Sequence, residues 1–159
     1  MKKLQIYLDT SVINFMFADD TPDFKQVTID FFENQAEFYE LYISDIVILE
    51  IDQDPNEDHK SNLFSIIDRY KITILPDPPI EEIKILAQKY IEKGAIPDSK
   101  FNDALHVAYA TIHNMDILLS WNFKHLANVN KEIKIQLVNV EEGYRYPLRM
   151  VSPLEVLHD

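Results

Sequence analysis

Cysteine is absent from this chain of 159 residues, and glycine occurs only twice, at Gly94 and Gly143. The lack of cysteine excludes disulfide bonds, thiolate metal sites and cysteine nucleophiles, and it is compatible with a reducing cytoplasm. The scarcity of glycine excludes a glycine-rich loop of the kind that cradles phosphates. Any catalytic or binding chemistry must therefore come from other groups.

Long hydrophobic runs are also missing, since no apolar segment approaches the roughly 20 residues that span a bilayer. Residues 1–3 (Met-Lys-Lys) lead straight into a strand-like stretch, without the apolar region of a signal peptide. Hydrophobic residues nevertheless make up 47% of the sequence, which favours a folded core. We therefore expect one domain over residues 1–159, located in the cytoplasm and outside membranes.

Basic residues are few: 15 Lys and Arg stand against 27 Asp and Glu, which gives a formal net charge of −12. This balance opposes non-specific binding to nucleic acid, which depends on Lys and Arg that neutralise phosphates. A bound cation would invert the local field of some acidic residues. The stretch 144–149 is also locally basic and aromatic. Most of the other acidic residues are expected to form a solvated surface.

Short apolar segments alternate with helical patterns along the chain. Strands are predicted at residues 3–8, 41–43, 71–75, 117–120 and 135–138. Helices are predicted over 24–38, 57–70, 80–93 and 98–113, and the tail from Glu141 is predicted to be irregular. This alternation predicts an α/β fold, a three-layer α/β/α sandwich with a mainly parallel central sheet of about five strands.

Four acidic or amide residues lie where predicted elements begin or end: Asp9, Glu50, Asp103 and Asn122. Ligands of parallel sheets bind beyond the carboxyl ends of the strands, so these residues are candidates for one shared site. A buried carboxylate is unfavourable unless it is paired or binds a cation. Oxygen ligands suit Mg²⁺ or Mn²⁺, whereas the absence of paired His or Cys spacing disfavours zinc.

We expect Asp9 to be the central metal ligand, with Glu50 and Asp103 binding the ion directly or through water. Thr10 and Ser11 are candidates to donate hydrogen bonds to a substrate phosphate or to Asp9. Structural alternatives stay open. Asp9 and Asp103 fit helix starts, Glu50 fits a helix surface, and Asn122 fits an N-cap.

Two histidines lie close to these positions in sequence. His106 follows Asp103 by one helical turn, and His125 follows Asn122 by three residues. For His106 we favour a hydrogen-bonded core residue, and for His125 a position outside the site. Trp121 is expected to pack in the core rather than to stack on a base.

These segments resemble the motifs of the PIN domain family. Residues 7–11 resemble its opening motif, and Glu50, in the helix after the second strand, matches its second acidic residue. Residues 102–110 match the helix that carries the third acid, and residues 118–126 match the fourth motif. Each motif is weak alone, but the four occur in order and span nearly the whole chain.

The resemblance implies an endoribonuclease that depends on Mg²⁺ or Mn²⁺, with RNA as its substrate. Bacterial and archaeal members are often VapC-like toxins of type II toxin–antitoxin pairs, which implies a small antitoxin as partner. The fourth position is usually aspartate in the family, and here it is Asn122. An amide oxygen still ligates Mg²⁺ or accepts a hydrogen bond from a metal-bound water, so we expect Asn122 to act in catalysis by positioning a water or the phosphate. The amide brings no charge, which favours a single metal ion.

Other functions stay open at this stage. One alternative is a catalytically weak or inactive PIN-like module that binds RNA or a protein, which the net charge of −12 and Asn122 favour. Another is a hydrolase that acts on DNA or a different phosphoester. The phenylalanine-rich helix over 24–38 suits either a homodimer interface or core packing.

Overall fold

The computed structural model describes residues 2–76 and 79–156. Five strands of this part form one sheet: β1 (Leu4–Leu8), β2 (Tyr39–Ile43), β3 (Thr73–Ile74), β4 (Ile117–Leu119) and β5 (Arg149–Val151). They lie in the order β3-β2-β1-β4-β5, and every neighbouring pair is parallel. Because all carboxyl ends share one edge, the residues after β1 and β4 meet there, with Leu8 and Leu119 as register partners.

Helices cover both faces of the sheet. On one face lie α1 (Thr10–Asn14), α2 (Pro22–Asp30), α3 (Asp45–Asp52) and α4 (Glu57–Arg69). On the other lie α5 (Ile80–Glu92), α6 (Phe101–Ile112) and α7 (Val129–Glu141). The predicted three-layer α/β/α sandwich with a parallel sheet is confirmed.

The central strand β1 joins two hydrophobic cores. Ile6 and Leu8 pack with α1–α4, whereas Tyr7 packs with α5–α7. All three side chains are fully buried, as expected for a parallel strand covered on both faces. The chain that enters the site at Asp9 is therefore fixed from both sides.

The helix α5 ends where the sequence predicts. Ile83, Leu86 and Tyr90 supply its buried face, and Gly94 follows with a φ of 74°. This is the left-handed region, in which glycine carries no side-chain clash, so Gly94 suits the end of the helix.

The phenylalanine-rich helix predicted over 24–38 is interrupted. The helix α2 ends at Asp30, Phe31–Gln35 forms a wider π turn, and Ala36–Phe38 forms a 3₁₀ turn before β2. Phe31 and Phe32 are buried in the core below α1–α4. These two rings therefore serve core packing, and a homodimer stays a prediction.

The prediction of a fifth strand at residues 135–138 is wrong. The run lies within α7, where Ile135 and Val138 face the core and Leu137 is 60% exposed. The side chain of Asn128 caps this helix by accepting hydrogen bonds from the N–H groups of Asn130 and Lys131. Such a short apolar run fits a strand or a helix by its pattern alone.

The fifth strand lies instead in the tail that was predicted to be irregular. A buried carboxylate on α7 holds β5 in place. Oε2 of Glu132 accepts hydrogen bonds from the Met150 N–H at 2.7 Å and from Arg149 Nε at 3.0 Å. A contact between distant residues fixes this strand, and local sequence patterns do not reveal it.

No helix in the described part of the chain is both long and apolar enough to cross a membrane. The longest of them, α4, α5 and α7, have 13 residues each. A bilayer requires about 20. The cytoplasmic location and the single domain over residues 1–159 stay predictions.

Candidate active site

An open cleft of about 340 Å³ lies at the carboxyl edge of the sheet. It brings together all the site residues predicted from the sequence, namely Asp9, Thr10, Ser11, Glu50, Asp103 and Asn122. Three further residues line it: Asn14, Gln53 and His106. Residues from three helices, α1, α3 and α6, and from the segments after β1 and β4 therefore meet in one place.

A larger cavity of about 810 Å³ lies at the opposite edge of the sheet, beside Lys3 and Thr73. Its size does not make it the better candidate. Glutamates and basic residues are mixed there, whereas the smaller cleft gathers carboxylates at the edge where parallel sheets bind ligands.

Asp9 is held by three hydrogen bonds. Its Oδ1 accepts from the backbone N–H of Ser11 at 3.1 Å and from the Ser11 hydroxyl at 2.5 Å. Its Oδ2 accepts from the Ser120 hydroxyl at 2.5 Å. The residue is 4% exposed and also caps α1, so its capping and site positions coincide.

Sequence reasoning missed Ser120 as a site residue. Besides donating to Asp9, its Oγ accepts a hydrogen bond from the Asn122 N–H at 2.9 Å. The Trp121 N–H in turn donates to Ser11 Oγ at 2.9 Å. The sequence does show that the Ser120 hydroxyl comes directly after β4. It does not show that β4 pairs with β1, and only this pairing brings Ser120 to Asp9.

Glu50 reaches the cleft from α3. The hydrogen bonds that it accepts from other described residues both fall on Oε1, from Thr10 Oγ1 at 2.8 Å and from His106 Nε2 at 2.6 Å. The second oxygen, Oε2, is left for a ligand in the cleft. Glu50 is thus fixed in the site and does not escape to a helix surface.

His106 is 2% exposed and lies behind Glu50. Its Nδ1 is 2.7 Å from the Tyr7 hydroxyl, which is 2.6 Å from Ser44 Oγ. An ionised carboxylate only accepts hydrogen bonds, so Nε2 of His106 carries the hydrogen that Glu50 receives. The predicted hydrogen-bonded core histidine is therefore present, and it also contacts the site.

Asp103 and Asn122 face each other across the cleft. Asp103 lies in the first turn of α6, and its Oδ2 accepts a hydrogen bond from Asn122 Nδ2 at 3.3 Å. The amide oxygen of Asn122 accepts from the His125 N–H at 3.0 Å. This oxygen therefore caps a turn, and the amide places a donor beside Asp103 where an aspartate would place a second charge. A catalytic role of Asn122 in positioning a water or the phosphate stays a prediction.

A family model for the PIN domain matches residues 6–131 of this chain. The chain belongs to the PIN domain family. The recognition from the four sequence motifs is thereby confirmed. PIN domains are generally nucleases and typically use a divalent metal.

One solved structure similar to this PIN domain is the crystal structure of VapBC2 from Rickettsia felis bound to a DNA fragment from their promoter. The TM-score is 0.55 at 17% sequence identity, and the match covers 92% of this chain and 98% of that chain. At this identity the likeness confirms the fold. No curated protein sequence matches the chain.

The surroundings of Asp9 and Asp103 disfavour the charged forms of these two carboxyl groups. Burial raises the pKa of Asp9, and the charge of Asp103 raises it further, against His106, Ser11 and Ser120. Burial also raises the pKa of Asp103, and the charge of Glu50 adds to this effect. A cation in the cleft would relieve both carboxylates.

Glu50 and His106 stabilise each other's charged forms. Burial would raise the pKa of Glu50, but the hydrogen bond and charge of His106 and the hydrogen bond from Thr10 lower it overall. Burial would lower the pKa of His106, but Glu50, Asp9 and Asp103 raise it overall. The charged imidazole of His106 thus partly neutralises Glu50, Asp9 and Asp103.

The donor set of the cleft suits a hard divalent cation, since Mg²⁺ and Mn²⁺ prefer carboxylate oxygens. Within residues 2–76 and 79–156, however, no three acidic, His or Cys side chains are gathered closely enough to hold one ion together. Mg²⁺ is commonly bound by one or two carboxylates and keeps several waters. The cleft therefore fits an ion held in part through water better than a closed cage of three carboxylates.

His125 and Trp121 do not present their rings to the cleft. The His125 Nδ1 is buried without a hydrogen-bond partner in the described structure, and only its backbone N–H contacts Asn122. Trp121 is 5% exposed, donates to Thr28 Oγ1 at 2.8 Å and stacks on Phe15. The indole thus packs inside, as expected from the sequence.

Proposed function

We propose that this PIN domain is an endoribonuclease that hydrolyses RNA phosphodiester bonds with Mg²⁺ or Mn²⁺ in the acidic cleft. One observation carries the proposal: Asp9, Glu50 and Asp103 come from distant parts of the chain and line one cleft. The raised pKa values of Asp9 and Asp103 support it, because both carboxyl groups gain from a bound cation. Membership of a family that generally consists of nucleases supports the reaction class.

In this proposal Asp9 is the central ligand, and Glu50 and Asp103 bind the ion directly or through water. When bound, the ion supplies a water molecule of lowered pKa and neutralises charge on the leaving oxygen. The chain orients the carboxylates: Ser11 and Ser120 hold Asp9. Such partners fix the direction of ligand oxygens and tune affinity for the metal.

Thr10 and Ser11 have specific roles in this arrangement. Their hydroxyls donate to Glu50 and Asp9, at 2.8 Å and 2.5 Å. We therefore assign them first to positioning these carboxylates. A contact of either residue with a substrate phosphate stays a prediction, and it would require the hydroxyl to exchange its present bond.

The test is a cleavage assay on mixed-sequence RNA with Mg²⁺, Mn²⁺ or a chelator. Wild type should cleave only with metal, and Asp9→Asn should lose about 100-fold or more in rate, as expected for a group that acts on charge in the transition state. Asp68→Asn is the matched control, because Asp68 is exposed on α4. Folded wild type that cleaves no RNA, or Asp9→Asn that cleaves equally well, would contradict the proposal. A DNA substrate in parallel tests hydrolysis of other phosphoesters.

We also propose that the protein acts in the cytoplasm as the toxin of a type II toxin–antitoxin pair. Its support is the PIN family and the fold likeness to VapBC2 from Rickettsia felis. Expression of the chain should arrest growth, and co-expression of a small protein encoded beside it should restore growth and block the cleft. Arrest by Asp9→Asn as strong as by wild type would contradict toxicity through cleavage.

The alternative is a PIN domain that binds RNA or a protein without cutting. Asn122 contributes no charge, the net charge is −12, and no three-ligand group is gathered among the described residues. A folded chain that binds neither Mg²⁺ nor Mn²⁺ at millimolar concentrations by calorimetry would favour this module.

A further inference from the structure

The net charge of −12 is a sum over the whole chain, whereas the approach of a polyanion depends on the electrostatic field around its binding site. Lys100 lines the extension of the acidic cleft, Lys124 is exposed in the turn two residues after Asn122, and Lys131 lies in the first turn of α7, which follows that turn. Burial lowers the pKa of His125, and the charges of Lys124, Lys100 and Lys131 lower it further. Lys100 and Asp103 line the same extension of the cleft. All three cations are near enough to His125 to act on its charge, and the backbone N–H of His125 donates to Asn122 in the cleft.

The cleft continues toward this group. A second open cavity of about 460 Å³ shares Glu50, Asp103 and Asn122 with it, and Lys100 and Phe101 line the extension. An extended polymer that lies across Asp103 can therefore continue past Lys100, at the start of α6, within the same depression of the surface.

The three lysines are available for an external anion. In the described part of the chain none of them forms an ion pair, whereas Lys60 and Lys93 are each paired with two carboxylates. Lys124 is exposed in the turn after Asn122. No ion pair among the described residues therefore neutralises their charges.

Two other basic groups are less suitable. The stretch 144–149 is used internally, since Arg149 pairs with Glu132 and the Tyr146 hydroxyl donates to Asp116. The basic residues of the 810 Å³ cavity lie at the opposite edge of the sheet and are balanced by Glu33, Glu37 and Glu40.

We propose that Lys100, Lys124 and Lys131 form a lysine rim that binds the phosphate backbone of single-stranded RNA as it leaves the acidic cleft. The inference rests on the proposed function, because it names how the substrate is held at that same site. Ammonium groups contact phosphates as point charges and carry no base information. The rim should therefore bind RNA of any sequence, with strong salt dependence.

RNA is favoured over an acidic protein as the occupant because the rim continues from the cleft that holds the scissile phosphodiester. A strand bound for cleavage must pass one side of that cleft, and its neighbouring phosphates need compensation in a protein of net charge −12. An acidic protein needs no such alignment with Asp103.

The test measures binding separately from cleavage. Fluorescence anisotropy of a labelled single-stranded RNA is recorded at several salt concentrations, with Asp9→Asn as the parent so that the RNA stays intact. Changing Lys100, Lys124 and Lys131 to Gln together should weaken binding at low salt at least about 10-fold, and each lysine lost should reduce the salt slope by about 0.7. Lys3→Gln, at the opposite edge of the sheet, should change neither quantity.

The outcomes separate this inference from the proposed function. If wild type cleaves RNA but the triple variant binds like its parent with the same salt slope, the lysine rim is wrong and the nuclease stands. If wild type neither binds nor cleaves RNA, both are wrong. A triple variant that loses only an acidic protein partner, or only single-stranded DNA, would also overturn the RNA assignment.

Discussion

Two carboxyl groups at the cleft, those of Asp9 and Asp103, oppose folding when they are charged. Burial raises the pKa of Asp9 and Asp103 above their ordinary values. A carboxyl group with a raised folded pKa makes the folded state less stable as the pH rises from its unfolded pKa through its folded pKa. Without a cation, the charges of Asp9 and Asp103 therefore destabilise the folded state most near neutral pH. Groups with such perturbed pKa values are typical of functional sites.

Asp103→Asn should therefore stabilise the metal-free protein near neutral pH, by about 1 kcal/mol. The gain should vanish in acid, where Asp103 is protonated in both states. Urea unfolding in a chelator at both pH values measures this difference. The exposed control Asp68→Asn should give no such gain, and an Asp103→Asn protein less stable than wild type at neutral pH would contradict the expectation.

His106 is a positioning residue, because it acts through Glu50. His106→Ala should weaken Mn²⁺ binding by about 10- to 100-fold, as the loss of outer hydrogen-bond partners does elsewhere. His106→Gln should recover part of the affinity, since its amide can donate to Glu50 as Nε2 does. Calorimetry measures both.

His113→Ala is the matched control for this experiment. His113 lies after α6 and contacts the Tyr109 and Pro76 carbonyls. It should leave Mn²⁺ affinity unchanged. Wild-type affinity in His106→Ala would show that Glu50 does not depend on the imidazole.

The residues of the site were predictable to different degrees. Asp9, Glu50 and Asp103 stood out because carboxylates interrupt apolar segments at element boundaries. The hydrogen bonds of Ser120 with Asp9 and of His106 with Glu50 were not predictable, because these partners are 111 and 56 residues away in sequence. Hydrogen-bond partners at such separations follow from strand pairing and helix packing, which local patterns do not specify.

At the scale of elements, strong periodicity was reliable and short runs were not. The helices α4 and α5 lie where their apolar spacing predicts. The run 135–138 was misjudged because Asn128, seven residues earlier, commits it to α7. The strand β5 has only three residues and takes its place from pairing with β4.

The tie between α7 and β5 is testable at Glu132. Glu132→Ala leaves the buried Met150 N–H without its acceptor and should destabilise the protein by about 1–3 kcal/mol. Glu132→Gln keeps an oxygen for that N–H and loses only the charge beside Arg149, so it should cost less. Urea unfolding ranks the two, and equal stability of both variants with wild type would show that β5 does not need this contact.

For the whole molecule, the topology itself creates the site. The central position of β1 in a parallel sheet places Asp9 beside the end of β4, between the two layers of helices. The sequence predicts this layout through alternating strands and helices, but it does not show how closely the acids approach. The same edge combines acids within the cleft and Lys100 beside it, so a protein of net charge −12 still presents positive charge next to its acidic site.

Calorimetric titration of Mn²⁺ into the wild-type protein tests most directly whether the three acids act on one ion. We predict saturable binding that Asp9→Asn, Glu50→Gln and Asp103→Asn each weaken at least about 10-fold, while Asp68→Asn leaves it unchanged. Absence of binding to folded wild type, or isotherms that the three substitutions leave unaltered, would contradict the metal site on which the proposed nuclease depends.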